Sequence, residues 1–514
     1  MKHVKGFPGR QVMSSKLNRR EFIKKAGLGA AAVTLTRTGG CRKTAAVEKP
    51  NIIFFLADDL GYNELGSYGQ TKIRTPSLDS MASEGMRFTQ HYSGSPVCAP
   101  SRCVLLTGKH TGHAYIRAND EMREKGDVWN DPSLEGQRPL PAGTTTMATL
   151  LKSAGYATGA IGKWGLGGPD DSGHPNSQGF DFFYGYICQR QAHNYYPTHL
   201  WRNRDKHILE GNEYFKAHQK FPEERDPDDP EAYAAYSGRQ YAPDLMEQEA
   251  LDFIRRNKDR PFFLYLPFIV PHVSLQVPED SLKEYEGEFP ETPYLGEKGY
   301  LPHRTPRAAY AAMITRMDRS IGRILALVKE LGLDESTLVV FSSDNGPTFN
   351  GGSDSAFFES AGPLRGLKTQ LYEGGIRVPM IARWKGRIKA GTVSGFVSAF
   401  WDFLPTFTEL SGADPPADTD GLSLLPTLLS KPEDQQVHSH LYWEYLGGQV
   451  VRMGDWKGIR PKGGGTLELY NLKYDIGETS DLAEAEPDIA ARLAGLMVSS
   501  RTESKHFPLI RKKQ

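Results

Sequence analysis

The sequence predicts an α/β protein with a large, mostly parallel sheet sandwiched by helices, followed by a smaller α+β unit on a short antiparallel sheet. Short apolar runs alternate with longer amphipathic segments through most of the chain, which is typical of parallel strands joined by helices. Beyond about residue 412 the pattern changes to short apolar runs separated by Gly-rich turns, which favours antiparallel pairing.

Four apolar runs of buried-strand composition predict the parallel strands, at residues 52–56, 157–161, 262–270 and 338–341. Helices are predicted where apolar residues recur at helical spacing, from Pro76 to about Gly85 and over residues 145–153, 243–256 and 306–331. Residues 203–232 and 279–305 are charged and Pro-rich, and we interpret both as surface insertions.

The C-terminal part is predicted to form a separate small unit. After a loop at residues 412–418, four short runs predict its strands, at 441–445, 449–453, 456–460 and 467–472. Residues 487–499 predict a closing helix. We therefore place a large α/β domain at residues 48–430 and a small α+β domain at 431–514.

Composition excludes several classes of protein. The chain has 514 residues, with 62 Lys plus Arg balanced by 62 Asp plus Glu. A net charge of zero argues against a general nucleic-acid binder, which carries a basic excess, and against a disordered polyanion. Four cysteines in a chain of this length cannot form a disulfide scaffold, and the pairing of Cys103 and Cys188 stays open.

Residues 1–41 resemble a twin-arginine export signal. Arg19 and Arg20 precede Phe22, and a weakly apolar Gly/Ala-rich stretch follows at residues 26–36, too short to span a bilayer. The alternative is a basic amphipathic leader without a role. Cys41 resembles a lipoprotein cleavage site, although Thr38 replaces the usual leucine. We expect a periplasmic protein exported by the twin-arginine machinery, either free or anchored through Cys41.

Polar side chains follow each predicted parallel strand. They are, in chain order, Asp58, Asp59, Lys163, His272, Asp344 and Asn345. Because ligands bind in the crevice at the carboxyl ends of the strands of an open α/β sheet, these residues predict one shared site.

Two pairs in this set, Asp58–Asp59 and Asp344–Asn345, offer oxygen ligands only. Three carboxylates and an amide suit a hard cation such as Ca²⁺ or Mg²⁺, and the lack of His and Cys makes zinc the weaker choice. One Asp at a strand end is more often a helix or turn cap. Two pairs, each after a buried strand, favour a metal.

The segment CAPSRCVLLTG begins at Cys98 and carries the strongest local pattern. Pro100 and Ser101 can open a helix with Val104 and Leu105 facing inward. Cys98 would then lie just before a helix N-terminus, where backbone N–H groups and the helix dipole favour an anion. The alternative is a buried structural cysteine beside a capped helix.

This segment resembles the signature of the formylglycine-dependent sulfatases, in which Cys-x-Pro-Ser-Arg is followed by x-x-Leu-x-Thr-Gly. The resemblance covers nearly all of residues 50–510 and includes the segments IIFFLADDLGY, GKW, FSSDNG, RGLK and EGG. Later segments, DWK and ELY, resemble the C-terminal domain of that family. The resemblance implies an arylsulfatase-like hydrolase of sulfuric esters with an alkaline-phosphatase-like fold.

In that family the cysteine is converted to 3-oxoalanine (formylglycine) by a separate maturation enzyme, so the resemblance implies this for Cys98. Asp58, Asp59, Asp344 and Asn345 would bind Ca²⁺, with Mg²⁺ as the alternative, and residue 98 would approach the metal. One hydroxyl of the aldehyde hydrate would attack sulfur, and the second would expel sulfate.

The resemblance also implies roles for four basic residues. Arg102 would hold the hydrate, and Lys163 and Lys368 would bind the sulfate and leaving oxygens. His272 would donate a proton to the departing alcohol. Singly, each lysine would more often be solvated and the histidine structural, but their positions in matched motifs favour catalysis.

One position departs from the family pattern. The family commonly has Lys-Trp-His-Leu-Gly, and this chain has Gly165 in place of the histidine. That histidine usually contacts the aldehyde hydrate and is a candidate base for sulfate release. His193 and His113 are candidate substitutes, with His110 a weaker one.

For the substrate we expect a sulfated carbohydrate, with galactose or N-acetylgalactosamine sulfate preferred. Residues 180–201 are dense in aromatic side chains with Arg190 and His193 between them, which suits either a sugar site or a hydrophobic cluster under a loop. The alternatives are a phosphonate or phosphate ester hydrolase of the same superfamily and a non-catalytic binding protein on this scaffold. A structural lipoprotein would have only Cys41 in its favour.

Overall fold

The computed structural model describes residues 49–414, 416–462 and 464–509. The predicted export signal and Cys41 lie outside the described residues. The strands are β1 (Asn51–Ala57), β2 (Met86–Phe88), β3 (His91–Tyr92), β4 (Ala157–Lys163), β5 (Phe182–Tyr186), β6 (His199–Arg202), β7 (Asp205–Ile208), β8 (Phe262–Pro267), β9 (Thr337–Ser343), β10 (Met380–Arg383), β11 (Thr392–Ser394), β12 (Ser398–Ala399), β13 (Leu441–Tyr445), β14 (Gly448–Met453), β15 (Trp456–Arg460) and β16 (Glu468–Asn471).

The α-helices of the same residues range from one turn to 25 residues. They are α1 (Pro76–Glu84), α2 (Cys98–Thr107), α3 (Arg123–Gly126), α4 (Met147–Ser153), α5 (Ala242–Asn257), α6 (Glu279–Leu282), α7 (Pro306–Glu330), α8 (Glu373–Ile376), α9 (Phe403–Ser411), α10 (Leu425–Leu428) and α11 (Pro487–Ser499). None of them is both long and apolar enough to cross a membrane.

The large sheet confirms the predicted fold class. Its strand order is β11-β2-β10-β9-β1-β8-β4-β5-β6-β7. The five strands from β9 to β5 are mutually parallel, and antiparallel pairs join the flanking strands β10 and β6 to them. The central strand β1 pairs with β8 and β9 along most of its length and is buried throughout. Residues on both of its faces therefore need apolar cover.

Helices provide that cover on both sides of the sheet. Ile53 and Phe55 of β1 pack into a core with residues of α1, α5 and α7. Ile52 and Phe54 face the other way and pack with residues of α2, α4 and α9. This alternation follows from the two-residue period of a strand, so one apolar run serves two cores.

The C-terminal sheet β13-β14-β15-β16 is antiparallel, as predicted. Helix α11 covers one face, where Leu493 and Met497 pack on Tyr442. The other face joins the core of the large sheet through Trp443. The division of the chain near residue 430 stays a prediction.

A buried ion cluster also ties the C-terminal sheet to the large one. The Nζ atom of Lys457, on β15, lies 2.9 Å from Oε1 of Glu373 and 2.8 Å from Oε1 of Glu478. Glu373, on α8, also accepts from the hydroxyl of Tyr92 at 2.6 Å and pairs with Arg377 at 3.1 Å. The EGG and DWK segments of the sequence therefore meet in space.

Two predicted features differ from the structure. Strand β8 ends at Pro267, before the predicted residue 270, because the chain leaves the sheet there to reach His272. Residues 203–232 are only partly a surface insertion, since β7 pairs with β6 and forms an edge of the large sheet.

Candidate active site

The sheet delivers the predicted polar residues to one place. Strands β9, β1, β8 and β4 are neighbours in that order, so their carboxyl ends lie side by side. Beyond these ends lie side chains that are at most 2% exposed: Asp58, Asp59, Lys163, His272, Asp344 and Asn345. A group of buried charges this dense needs internal partners, because burial of an unpaired charge is costly.

Cys98 lies in the middle of this group. It is the first residue of α2, rather than the residue before the helix, and it is fully buried. Its Sγ atom donates to Oδ1 of Asp58 at 3.2 Å and lies 3.7 Å from Oδ1 of Asp59. Burial, together with the charges of Asp344 and Asp58, raises the pKa of the Cys98 thiol well above its ordinary value. The unmodified side chain is therefore a neutral thiol.

Three cations match the three carboxylates. The Nζ atom of Lys163 lies 2.6 Å from Oδ2 of Asp58, and that of Lys368 lies 2.6 Å from Oδ2 of Asp59. Arg102 donates from Nε and Nη2 to Oδ2 of Asp344, at 3.0 and 2.8 Å. Each buried carboxylate therefore has a cation within hydrogen-bonding distance, as buried charges require. Burial, with the charge of Asp58 adding to it, nevertheless raises the pKa of Asp344 to about 7.

The pKa shifts follow from this pairing. Burial alone would disfavour the Asp58 carboxylate, but Lys163, His272 and Arg102 outweigh burial and hold its pKa well below its ordinary value. Burial likewise disfavours the Lys368 ammonium, and Asp59 outweighs it and raises the pKa of Lys368 well above its ordinary value. The Asp58 carboxylate and the Lys368 ammonium are therefore both charged at neutral pH.

The oxygen atoms of this group fit a hard cation. Asp58 and Asp59 are gathered with Cys98 and His272, their ligand atoms all within 4.8 Å of one another. Asn345 donates from Nδ2 to Oδ1 of Asp59 at 2.8 Å, which leaves its buried Oδ1 atom without a hydrogen-bond partner among the described residues. A buried amide oxygen beside carboxylates is a ligand set that Ca²⁺ favours.

His272 lies at the edge of the same group. Its Nδ1 donates to the carbonyl of Val273 at 2.5 Å, so its Nε2 is the nitrogen that faces the site, 3.6 Å from Oδ2 of Asp59. Burial, with Lys368 and Lys163 adding to it, lowers the pKa of His272 to about 3. The imidazole is therefore neutral at neutral pH in this arrangement.

His193 stacks on His272, with ring centroids 4.8 Å apart and an interplanar angle of 13°. Its Nδ1 lies 2.9 Å from Nε2 of His218. The ring of Tyr300 contacts both, at 5.1 Å from His193 and 4.4 Å from His218. Burial, then the neighbouring His272, lowers the pKa of His193 well below its ordinary value.

His218 and Tyr300 were not among the predicted site residues. Both come from the segments interpreted as surface insertions, and neither lies in a recognisable motif. The interpretation of residues 279–305 is therefore wrong for Tyr300, which packs against two histidines of the site. The one available signal was the presence of aromatic side chains inside otherwise charged segments.

The aromatic stretch at residues 180–201 was predicted to form either a sugar site or a hydrophobic cluster under a loop, and its residues differ in this respect. Phe180 packs in the core against Trp164 and Tyr265, as a hydrophobic cluster would. Arg190 is partly exposed, but its guanidinium is paired with Glu121 at 3.2 Å and Asp127 at 3.1 Å. Any ligand that contacts Arg190 would therefore also lie close to these two carboxylates.

Any side chain placed at residue 165 would contact two glutamines. Its φ is +80°, and a Cβ atom there would lie 3.2 Å from Oε1 of Gln189 and 3.7 Å from the amide of Gln137. Both glutamines are at most 2% exposed. A histidine at residue 165 would therefore be strained in its backbone and would displace these side chains.

The other candidate substitutes for the missing histidine lie elsewhere. His110 and His113 stack on each other at 4.4 Å beside Asp420, beyond the end of α2. Ten residues of helix, about 15 Å, separate them from Cys98. Cys103 and Cys188 are each buried and free, so they do not pair with each other.

A family model described as Sulfatase matches residues 50–413, and one described as N-sulphoglucosamine sulphohydrolase, C-terminal, matches residues 367–496. The N-acetylgalactosamine-6-sulfatase of Canis lupus familiaris is 33% identical over 418 residues, which cover 79% of this chain and 69% of that protein. Human arylsulfatase D is 29% identical over 481 residues, covering 80% and 74%.

Solved structures also resemble this chain. Ps i-CgsB in complex with k-i-k-neocarrahexaose has a TM-score of 0.70 at 26% identity, covering 88% of this chain and 92% of that chain. The phosphonate monoester hydrolase of Agrobacterium radiobacter, at 19% identity and a TM-score of 0.59 over 90% of this chain and all of that chain, shows the shared fold alone. The protein belongs to the sulfatase family, within the alkaline-phosphatase superfamily, and is a sulfuric ester hydrolase.

Proposed function

We propose that the protein removes sulfate from a sulfated carbohydrate, using a formylglycine made from Cys98 and a bound Ca²⁺. The observation that carries the proposal is the position of Cys98, fully buried between two carboxylates and beside two lysines. A thiol whose pKa is raised by burial is a poor nucleophile at neutral pH. The site therefore suits a nucleophile other than the unmodified cysteine.

A formylglycine at residue 98 would supply a hydrated aldehyde as the nucleophile, and a bound Ca²⁺ would supply positive charge for the developing anion. Asp58, Asp59, Asp344 and Asn345 would hold the ion. Arg102 fixes the orientation of Asp344 through its two hydrogen bonds. These contacts pre-organise the site, so little reorganisation is needed when the substrate binds.

Lys163 and Lys368 bind the sulfate group. Their ammonium groups are buried and held on the inner face of the site by Asp58 and Asp59. In a buried site a fixed ammonium stabilises a developing negative charge more than water does. The two lysines therefore bind sulfate oxygens and the leaving oxygen.

His272 gives the proton to the departing alcohol. Its Nδ1–H is committed to the carbonyl of Val273, so Nε2 is the atom that gains and donates this proton. An incoming sulfate ester adds negative charge beside Nε2, which raises the pKa of His272. His193, stacked on His272, faces the leaving group and contacts the sugar, with Arg190 further out.

A carbohydrate substrate is supported by the relatives. Two of the proteins it resembles carry names that refer to an aminosugar sulfatase and to an oligosaccharide complex. We favour galactose or N-acetylgalactosamine sulfate. We also propose that residues 1–41 direct export to the periplasm by the twin-arginine machinery, the mature protein being either free or anchored through a lipidated Cys41.

The test starts with mass spectrometry of two tryptic peptides, residues 88–102 and 103–109, from protein made in its native host. We expect an aldehyde mass at residue 98 and none at Cys103, a buried cysteine of the same helix that serves as the matched control. Calcium content is measured on the same sample, and cell fractionation tests export.

Sulfate release from N-acetylgalactosamine and galactose sulfates is then measured beside hydrolysis of phenyl phosphonate. Release of sulfate by the native protein, abolished in Cys98→Ala, supports the proposal. Faster hydrolysis of the phosphonate than of every sulfate would favour the alternative hydrolase. An unmodified thiol and no turnover of either ester would favour a binding protein.

A further inference from the structure

A cavity of about 380 Å³ lies beside the site, against the hairpin of β13 and β14. Its walls are the turn between β13 and β14, residues Arg117 and Ala118, and the C-terminal segment at 507–509. No residue of this cavity belongs to the group around Cys98. It is large enough for one small ligand, since binding pockets begin at about 300 Å³.

Two contacts place the cavity next to the reacting group. Asn119, which follows Ala118, accepts from the backbone N–H of Ala99 at 3.0 Å, directly after Cys98. On the other side the hairpin packs on the segment that carries Lys368, since a Cβ atom on Gly448 would lie 3.1 Å from Leu371. The cavity is thus flanked by the two segments that supply the nucleophile and a sulfate-binding lysine.

The charged side chains on the floor of the cavity already form ion pairs with one another. Arg117 pairs with Glu444 at 2.9 Å, and both side chains are at most 5% exposed. Glu444 also accepts from Nε of Arg501 at 2.7 Å. These charges have partners already, so the floor can shape a ligand but holds no free charge for it.

The groups left for a ligand are aromatic faces and one ammonium. Tyr445 and Phe507 are half-buried wall residues, and the guanidinium of Arg138 lies 5.8 Å from the ring centroid of Phe507. Lys462 is exposed at the rim. Burial raises the pKa of the Tyr445 hydroxyl, and the charge of the Lys368 ammonium opposes this rise. The Tyr445 hydroxyl is therefore close enough to the site to interact electrostatically with Lys368.

We propose that this cavity is a subsite for the sugar unit next to the sulfated one, in a chain that carries acidic substituents. A pyranose ring has an apolar C–H face that packs on Tyr445 and Phe507, and Lys462 pairs with a sulfate or carboxylate on the same ring. This inference rests on the proposed function and deepens it, because it makes the substrate an oligosaccharide rather than a single sulfated sugar.

The test compares sulfate release from N-acetylgalactosamine 6-sulfate and galactose 6-sulfate with release from chondroitin sulfate and carrageenan tetrasaccharides. We expect the native protein to favour a tetrasaccharide by about tenfold or more in kcat/KM, the size of one good ring contact. In each of the variants Phe507→Ala and Lys462→Gln, the kcat/KM values for the tetrasaccharide and for the single sugar should lie within about twofold of each other.

Tyr474→Ala is the matched control, because Tyr474 is an exposed aromatic residue of the same C-terminal part, 81% exposed and outside the cavity. It should keep the ratio of the native protein. Lys462 is exposed, so Lys462→Gln tests the subsite even where Phe507→Ala does not fold. Equal efficiency on sugars and tetrasaccharides, or a ratio unchanged in both variants, overturns the subsite and leaves the proposed function standing. Sulfate release from no sugar substrate overturns both.

Discussion

Replacing Lys457 by methionine should destabilise the protein strongly without touching the reaction site. The ammonium of Lys457 is fully buried between Glu373 and Glu478, and methionine has a similar length but no charge. The variant would leave two buried carboxylates facing each other, with Arg377 as the remaining cation in direct contact with Glu373. Removing one partner from a buried ion pair costs about 3–5 kcal/mol.

The assay is urea unfolding followed by intrinsic fluorescence, since Trp443 lies at the junction between the two sheets. The exposed Lys473→Met is the control and should change the free energy of unfolding by less than about 0.5 kcal/mol. A second substitution, Glu478→Gln, should restore part of the loss in Lys457→Met, because it removes one uncompensated charge. A loss below about 1 kcal/mol in Lys457→Met would refute the reasoning, because the carboxylates would then have found other compensation.

Three further changes test the site and its surroundings. Asp344→Asn should lower kcat/KM at least about 100-fold and reduce bound metal, measured by elemental analysis, whereas Asp354→Asn, on a partly exposed carboxylate, should do neither. His272→Gln should slow sulfate release from a sugar by roughly 100-fold or more but affect 4-nitrophenyl sulfate far less, because that leaving group needs no proton; equal losses on both would exclude His272 as the acid. Burial raises the pKa of Glu64 to about 7, so the protein should lose roughly 3 kcal/mol of stability as pH rises from 4.5 past 7, when the buried carboxyl must ionise. Glu64→Gln should flatten the dependence of the free energy of unfolding on pH, measured between pH 5 and 9. An unchanged dependence would assign it to other groups.

The sequence predicted the site to the extent that strand geometry determines it. Asp58, Asp344, Lys163 and His272 were expected together because each follows a buried strand, and parallel strands end at the same edge. The register of β1 with β9 brings Asp58 and Asp344 side by side, and the pairing of β4 with β8 places Lys163 at the same edge. His272 is the exception, since β8 ends at Pro267 and a short connection carries the chain to it.

Residues delivered by irregular segments could not be found in the same way. His218 and Tyr300 reach the site from long connections without apolar periodicity, so nothing in their sequence marks where the chain turns. Gln137 and Gln189 fill the space above Gly165, a contact between segments about 50 residues apart that composition does not reveal. His113 follows the Cys98 motif in the chain, but a helix carries the chain away from the site in between.

If Cys98 is converted to formylglycine as we propose, its burial sets a time limit on that conversion. A maturation enzyme cannot reach a side chain with no exposed surface, so it must act before β1 is closed in by β8 and β9. The last of these strands ends at Ser343, about 245 residues after Cys98, and synthesis of that length takes roughly 12–50 s. Pairing between strands so distant in sequence is itself slow, which lengthens the interval. Under the proposed function, residue 98 would be accessible while the chain is being made and closed off afterwards, so a chain that folded unconverted would stay inactive.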